Sequence, residues 1–190
     1  MKGQQTGIDS IEQNNKLSFA AIVQTRQRMV YNTALGIVQN EGDAEDITQE
    51  VFLKVYEKLD SFRHEANLST WIYRITVTTS LDFEKQKKRQ KRGGLLKRVF
   101  GADDAVEVPH FEHPGVVLDK KEDAAILFKA INKLPENQRI AFLLHRTEGL
   151  TNNEVAKVLK ISLQAAESLQ VRAKANLKNL LQEYYKKHYK

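Results

Sequence analysis

Cysteine is absent from the 190 residues, which removes disulfides, cysteine-ligated zinc and a thiol nucleophile from consideration. Long apolar runs are missing as well. No stretch approaches the roughly eighteen consecutive apolar residues that a membrane helix needs, and the opening MKGQQTGIDSIEQNN carries no apolar segment of the signal-peptide kind. A soluble, cytoplasmic protein is therefore expected. There is no glycine-rich phosphate loop, and Ser or Thr near His cannot be made into a catalytic triad from spacing alone. His110, Glu112 and His113 resemble half of a metal site, but they lie in a proline-flanked segment without a further ligand nearby. The chain is not expected to be an enzyme, to need a cofactor or to take a small-molecule substrate.

What the chain does have is basic charge and helical periodicity. Thirty Lys and Arg against 24 Asp and Glu leave a formal charge of +6, which suits an anionic partner. The distribution is more informative than the total. Lys85, Lys87, Lys88, Arg89, Lys91, Arg92, Lys97 and Arg98 follow one another with no acid between them, a run that fits either solvation or phosphate contact. Past it, GADDAVEVPHFEHPG contains Pro109 and Pro114, two of the 3 prolines in the chain, and reads as linker.

The remainder reads as all-α, in two small helical domains joined by a flexible linker. Residues 1–15 are polar and are expected to be flexible, with helix from near Lys16. Phe19, Ile22, Val23, Met29, Val30, Ala34, Leu35 and Ile37 supply apolar faces up to a break at Gln39 to Gly42. From Asp43 to Leu59 the apolar residues Ile47, Val51, Phe52, Val55, Tyr56 and Leu59 recur at helical spacing and are expected to be buried. Asp43, Glu45 and Asp46 fall in the first turn, where negative charge complements the helix dipole. Asp46, Gln49, Glu50, Leu53 and Lys54 look outward, and Leu53 is an apolar residue on that polar face. A further helix, roughly Ser69 to Lys85, is expected to be capped by Ser69 or Thr70. These elements form a first domain over 16–90, the linker occupies 91–118, and a second domain covers 119–190.

In that second domain Pro135 opens a helix running to about Glu148, and Gly149 stops it. Thr151 and Glu154 have capping-box spacing ahead of VAKVLK, and Ser162 caps the last helix. Two capped helices joined by a short turn make a helix-turn-helix. On the last helix Ala166, Leu169, Ala173, Leu177 and Leu180 share a narrow sector suited to packing. Gln164, Glu167, Ser168, Val171, Arg172 and Ala175 are left outward. Small, polar and hydrogen-bonding side chains of this kind suit a major groove, where Arg pairs with guanine and Gln with adenine.

DAEDITQEVFLKVYEKL followed by TWIYRI closely resembles region 2 of the sigma-70 family, in its extracytoplasmic-function (ECF) subgroup. LPENQRIAFLLHRTEGLTNNEVAKVLKIS resembles region 4 of the same family, and the two together cover about two thirds of the chain. The resemblance implies an RNA polymerase sigma factor that binds core polymerase and directs initiation by minus-35 recognition and minus-10 melting. It implies a core-binding face of Asp43, Asp46, Gln49, Glu50, Leu53 and Lys54 against the clamp helices of the largest subunit, with further contact to the flap region. It implies minus-10 contacts from Phe62, His64, Asn67, Leu68, Ser69, Trp71, Tyr73, Arg74, Thr78 and Lys85, where aromatic walls and a few donors would hold unstacked bases. Minus-35 contacts would come from Arg139, Thr151, Asn152, Gln164, Glu167, Ser168, Val171, Arg172 and Lys174. Promoter DNA is thus an implied partner. So is an anti-sigma factor, with a membrane-bound one among the options.

At Trp71 core packing and base contact both remain open. Three departures from the family pattern stand out. Thr78 replaces the usual Asn, so an amide contact to a base is lost or becomes a hydroxyl contact. Lys160 stands at the turn where many relatives have Gly. Ala165, Ala166 and Glu167 replace commoner Thr-Val and basic positions, and Glu167 can accept from cytosine but cannot donate to phosphate. A stand-alone helix-turn-helix regulator is the alternative, and it would not require the acidic face that starts at Asp43.

Overall fold

The computed structural model describes residues 5–62, 67–95 and 121–188, and among them every regular element is helical. Seven α-helices follow in order: α1 Gln5–Val38, α2 Glu41–Lys58, α3 Leu68–Leu95, α4 Lys121–Asn132, α5 Glu136–Arg146, α6 Asn152–Leu159 and α7 Leu163–His188, with a 3-10 turn at Leu59–Ser61 between α2 and α3.

Helices α1, α2 and α3 pack on one another. Val30, Ala34, Leu35 and Ile37 of α1, Ile47, Val51 and Val55 of α2, and Ile72 and Val77 of α3 form their buried core. The buried hydroxyls of Thr48, Thr76 and Ser80 each donate to the carbonyl one turn back, at Ala44, Ile72 and Thr76. Polar side chains can therefore sit in this core without an unmet donor. α1 stops where Gln39 enters the left-handed region at φ 53°, its N–H bonded to the Leu35 carbonyl at 2.8 Å. Asn40 restarts the chain as a helix by accepting from the Asp43 N–H at 2.9 Å.

Four expectations change here. α1 begins at Gln5 rather than near Lys16; the intervening stretch holds no proline to stop a helix. Tyr56 is not part of the buried stripe. It is 51% exposed and meets Phe19 edge-on, with ring centroids 5.1 Å apart. α3 is capped by Asn67, whose Oδ1 accepts from the Ser69 N–H at 3.0 Å; Ser69 and Thr70 already lie inside the helix. α3 also runs on past Lys85 to Leu95, taking in the first part of the expected linker. The rest of that linker lies outside the described residues.

In the second unit α7 packs on α4, α5 and α6, around Phe128, Ile131, Ile140, Leu144, Val155, Ala166 and Ala173. Pro135 precedes α5, and Gly149 takes φ 73° after it. The Leu150 N–H closes the turn on the Leu144 carbonyl at 3.0 Å. Thr151 and Glu154 form the full capping box at the start of α6. The Ser162 hydroxyl oxygen accepts from the Ala165 N–H at 3.2 Å at the start of α7. The turn between α6 and α7 is made by Lys160 at φ 57°, ψ 44°, a conformation that glycine adopts without steric cost and an L side chain does not.

Lys160 is exposed, so its replacement loses little packing. Lys160→Gly should stabilise the protein by about 0.5–1 kcal/mol, relief of the left-handed strain being partly offset by the freer unfolded chain. Thermal unfolding followed by circular dichroism checks the sign, and a lower midpoint for the glycine variant would rule the strain out.

Candidate nucleic-acid and polymerase interface

Three surfaces hold the residues singled out by sequence. On α2, Asp46, Gln49 and Glu50 are exposed and Leu53 is 64% exposed, an apolar side chain ringed by polar ones. Lys54 bridges to Glu50 at 2.6 Å and donates to the Thr79 hydroxyl at 3.1 Å. Asp43 is half-buried and paired with Lys87 of α3, so it stands at the edge of this face rather than in it.

At the start of α3, Phe62 and Trp71 face each other with ring centroids 5.0 Å apart and planes at 38°. Trp71 is half-buried, as are Leu68 and Ser69, while Asn67, Thr78 and Lys85 are exposed. The Thr78 hydroxyl donates to the Arg74 carbonyl at 2.9 Å, inside its own helix. His64 lies outside the described residues, as do His110, Glu112 and His113.

On α7, Gln164, Glu167, Ser168, Arg172 and Lys174 are exposed. Val171, at 68% exposure, is the most exposed large apolar residue described. The opposite side is anchored by Ala166, Ala173 and Leu177, with Leu169 and Leu180 half-buried. Thr151 is occupied in its capping box and Asn152 is half-buried beside it.

The family resemblance implies DNA contacts from Tyr73, Arg74 and Arg139, and in this structure all three have partners inside the protein. The two helical units are docked, α1 against α5 and α3 against α6, and these three residues lie in the contact. Tyr73 is buried, and its hydroxyl meets Glu148 Oε2 at 3.4 Å. Arg74 donates to the last carbonyls of α6, from Nη2 to Lys157 at 2.5 Å and from Nε to Val158 at 3.3 Å. A cation there also meets the negative end of the helix dipole. Arg139 is only 6% exposed and forks onto Glu84, with Nη1 to Oε1 at 3.0 Å and Nη2 to Oε2 at 2.6 Å. Its Nη1 also donates to Asn132 Oδ1 at 3.2 Å.

Sequence reasoning gave no role between the units to Gln39, Glu84, Asn132 or Glu148. Gln39 is 4% exposed; its amide nitrogen donates to the Phe128 carbonyl at 3.1 Å, and its oxygen accepts from Asn132 Nδ2 at 2.6 Å. No pattern in the sequence pointed to this role; the left-handed backbone of Gln39, unusual for a glutamine, is visible only in the structure.

Burial of Glu148 between the units pushes its carboxyl up to about 7, against a smaller opposing pull from its contacts with Thr33 and Tyr73. The Thr33 hydroxyl is directed to the Met29 carbonyl, and Glu148 Oε1 is buried without a hydrogen-bond partner. Burial first, and then the adjacent Glu148, raise the Tyr73 phenol well above its ordinary value, with Arg26 opposing and Glu154 adding to the rise.

Residues 22–90 match the family described as Sigma-70 region 2, and residues 124–177 match Sigma-70, region 4. The chain belongs to the sigma-70 family of transcription initiation factors, which are not enzymes. Within that family it falls in the ECF subgroup. It is 28% identical over 184 residues to the ECF RNA polymerase sigma-E factor of Escherichia coli K12, covering 92% of each chain. It is 27% identical over 177 residues to the sigma-E factor of Haemophilus influenzae, covering 92% of this chain and 93% of that one. Among solved structures, the sigma factor RpoE in complex with the anti-sigma factor NepR from Bartonella quintana has a similar fold. Its TM-score is 0.63 at 23% identity, over 87% of this chain and 97% of that one. Among the described residues no helix is long and apolar enough to cross a membrane.

The pH dependence of the docked arrangement follows from Glu148. With the units apart its carboxyl returns toward 4.5, so the docked form holds the proton more tightly. Its contribution is fully present below pH 4.5 and is lost as pH rises toward 7. The whole effect is up to about 3 kcal/mol. Carbon-13 NMR of the Glu148 carboxyl should give a midpoint near 7; a midpoint near 4.5 in the native chain would contradict the buried placement.

Proposed function

We propose that the protein binds core RNA polymerase through the outward face of α2 and directs promoter-specific initiation. In this reading the start of α3 captures unstacked minus-10 bases, and the exposed face of α7 reads the minus-35 duplex. The observation that carries it is the pairing of both sigma regions, in order, on one chain. The exposed Leu53 among Asp46, Gln49 and Glu50 gives α2 an apolar anchor inside a polar rim, which is the make-up of a protein-docking patch rather than of a merely solvated helix. The face of α7 offers Glu167, Ser168 and Arg172 as hydrogen-bonding groups around Val171, a set that can read base edges and meet a thymine methyl. Phe62 and Trp71 supply a ring pair on which a base can stack.

Minus-10 contacts by Tyr73 and Arg74, and a minus-35 contact by Arg139, require these residues to leave their present partners. Lys85, Lys87, Lys88 and Arg89 are exposed along the extended α3 and suit phosphate contact. An anti-sigma factor is carried over as a further partner class, in line with the complex in which the Bartonella quintana sigma factor was solved. Promoter-specific transcripts should appear only when the chain and core polymerase are mixed. Specific regulation by the free chain without polymerase would favour a stand-alone regulator.

Two sets of substitutions separate the roles. Asp46→Ala with Gln49→Ala should weaken binding to core polymerase by roughly 1 kcal/mol or more while helicity is unchanged, as measured by titration of labelled protein with core. Unchanged affinity would assign the face to ordinary solvation. Arg172→Ala should cost about 1–3 kcal/mol and relax preference at a single promoter position if the side chain pairs with a base. Uniform weakening across a promoter library, with a shallower salt dependence, would instead place Arg172 on phosphate.

A further inference from the structure

We propose that the cleft between the start of α3 and the turn from α6 into α7 is a binding site for a small organic phosphate of nucleotide size. The site goes beyond the sigma-factor reading and does not rest on it.

Two helical stripes face each other across the cleft. Asn67, Thr70 and Arg74 recur at three- and four-residue spacing on α3, and Asn153, Lys157 and Lys160 do the same along α6 and its C-cap, so each set projects from one side of its helix. Ile161 and Leu163 close one end. The space is about 530 Å³, within the roughly 300–1,000 Å³ of small-molecule sites and more than an inorganic ion fills.

Hydrogen-bonding capacity and charge are left over there. Thr70 is only 6% exposed, yet among the described residues its hydroxyl has no hydrogen-bond partner, and it lines the cleft. The other buried Ser and Thr hydroxyls are engaged: Thr33, Thr48, Thr76 and Ser80 donate one turn back, and Thr79 accepts from Lys54. Thr70 stands too near the start of α3 to find a helical carbonyl one turn below it. Arg74 uses Nε and Nη2 on the Val158 and Lys157 carbonyls, which leaves Nη1 without a partner among the described residues. Lys160 enters no ion pair among them either, and glycine would close its left-handed turn without strain. Neither packing nor pairing accounts for a lysine at that position; an ammonium group in the cleft does. The one carboxylate in the lining, Glu154, is already held by the Thr151 N–H and hydroxyl, both at 2.8 Å.

The donor set selects the ligand. A phosphate monoester brings three acceptor oxygens and roughly two negative charges, which match a guanidinium N–H, two ammonium groups and a hydroxyl arriving from two helices. A carboxylate has too few oxygens to engage them all. Ala156, the half-buried Ile161 and Leu163, 40% exposed, add an apolar wall for the organic part. Asn153 is exposed beside it, and Asn67 keeps its amide nitrogen free while its oxygen caps α3. Two amides at the rim of an apolar wall suit the polar edge of a planar ring.

The test is calorimetric titration of the full chain with each of the four ribonucleoside monophosphates, and with inorganic phosphate and the free nucleosides as the separate halves. At least one monophosphate should bind once per chain with a Kd below about 1 mM, on the order of tenfold tighter than either half. Amide NMR should place the shifts at Thr70, Asn153 and Lys160. Lys160→Gly removes the ammonium from a backbone that glycine suits, so lost binding cannot come from a weakened fold; affinity should fall on the order of tenfold. Thr70→Val keeps the shape and removes the hydroxyl, and should cost about fivefold. Lys129→Ala, an equal loss of charge at an exposed position of α4, should leave affinity unchanged. Circular dichroism establishes that each variant keeps its helix content. Absence of binding by all four monophosphates, or binding that ignores both Lys160→Gly and Thr70→Val, would overturn the proposal. Inorganic phosphate binding as tightly as every monophosphate would overturn the organic ligand and leave a bare anion subsite. A single-stranded oligonucleotide of random sequence that moves the same resonances, where monophosphates do not, would assign the cleft to a nucleic-acid backbone and overturn the small-molecule site.

Discussion

A guanidinium taken out of water must bring a carboxylate with it, and Arg139 meets that requirement with a residue from the other half of the chain. Leaving a buried charge unpaired costs several kcal/mol, whereas a forked pair at best roughly breaks even, and here Arg139 Nε is buried without a partner. The Glu84 pair therefore adds little net stability to the fold, but it makes any separation of the two units conditional on giving Arg139 somewhere else to go. Water can provide that, and so can a DNA phosphate. The rest of the docked arrangement, from Gln39 to Arg74, follows from this conditional contact.

The two halves differ in how they are held. Each has its own apolar core, built on Ile47, Val51 and Ile72 in the first and on Phe128, Ile140 and Ala166 in the second. Between them the named contacts are polar: amide to carbonyl, guanidinium to carboxylate, phenol to carboxyl, guanidinium to the end of a helix. Interfaces of this kind are the ones that exchange within a chain, since their groups are as well satisfied by water or by another partner. A greasy seam in the same place would hold the halves together more tightly and would leave them no easy route apart.

What could be read from sequence was what repeats or what lies close by. Helical period marked the packed and outward faces of α2 and α7. Local chemistry marked the Thr151–Glu154 capping box, the Ser162 cap and the stop at Gly149, because these signals span only a few residues. The misreadings have the same cause in reverse. Tyr73 and Arg74 look like surface residues of one helix, and only a contact with Glu148 and Lys157, more than seventy residues away in the chain, removes them from solvent. Asn67 was passed over as a cap because Ser69 and Thr70, equally good capping residues, stand two and three positions later. Glu84 sits at the head of a basic run and carries no pattern that points to Arg139. The family resemblance supplied roles for surfaces, but it had nothing to say about which surfaces face each other.

The length of α3 has a geometric consequence. At 28 residues and about 1.5 Å per residue it is a rod of roughly 42 Å. The Phe62–Trp71 ring pair sits at one end, exposed cations lie toward the other, and Glu84 lies between. Eleven residues separate Tyr73 from Glu84, close to three whole turns, so both point in nearly the same direction from the axis. A single inserted or deleted residue between them would turn one against the other by about 100°. The reading frame of this rod is thus held by the phase between two distant side chains, a constraint that core packing would not impose by itself.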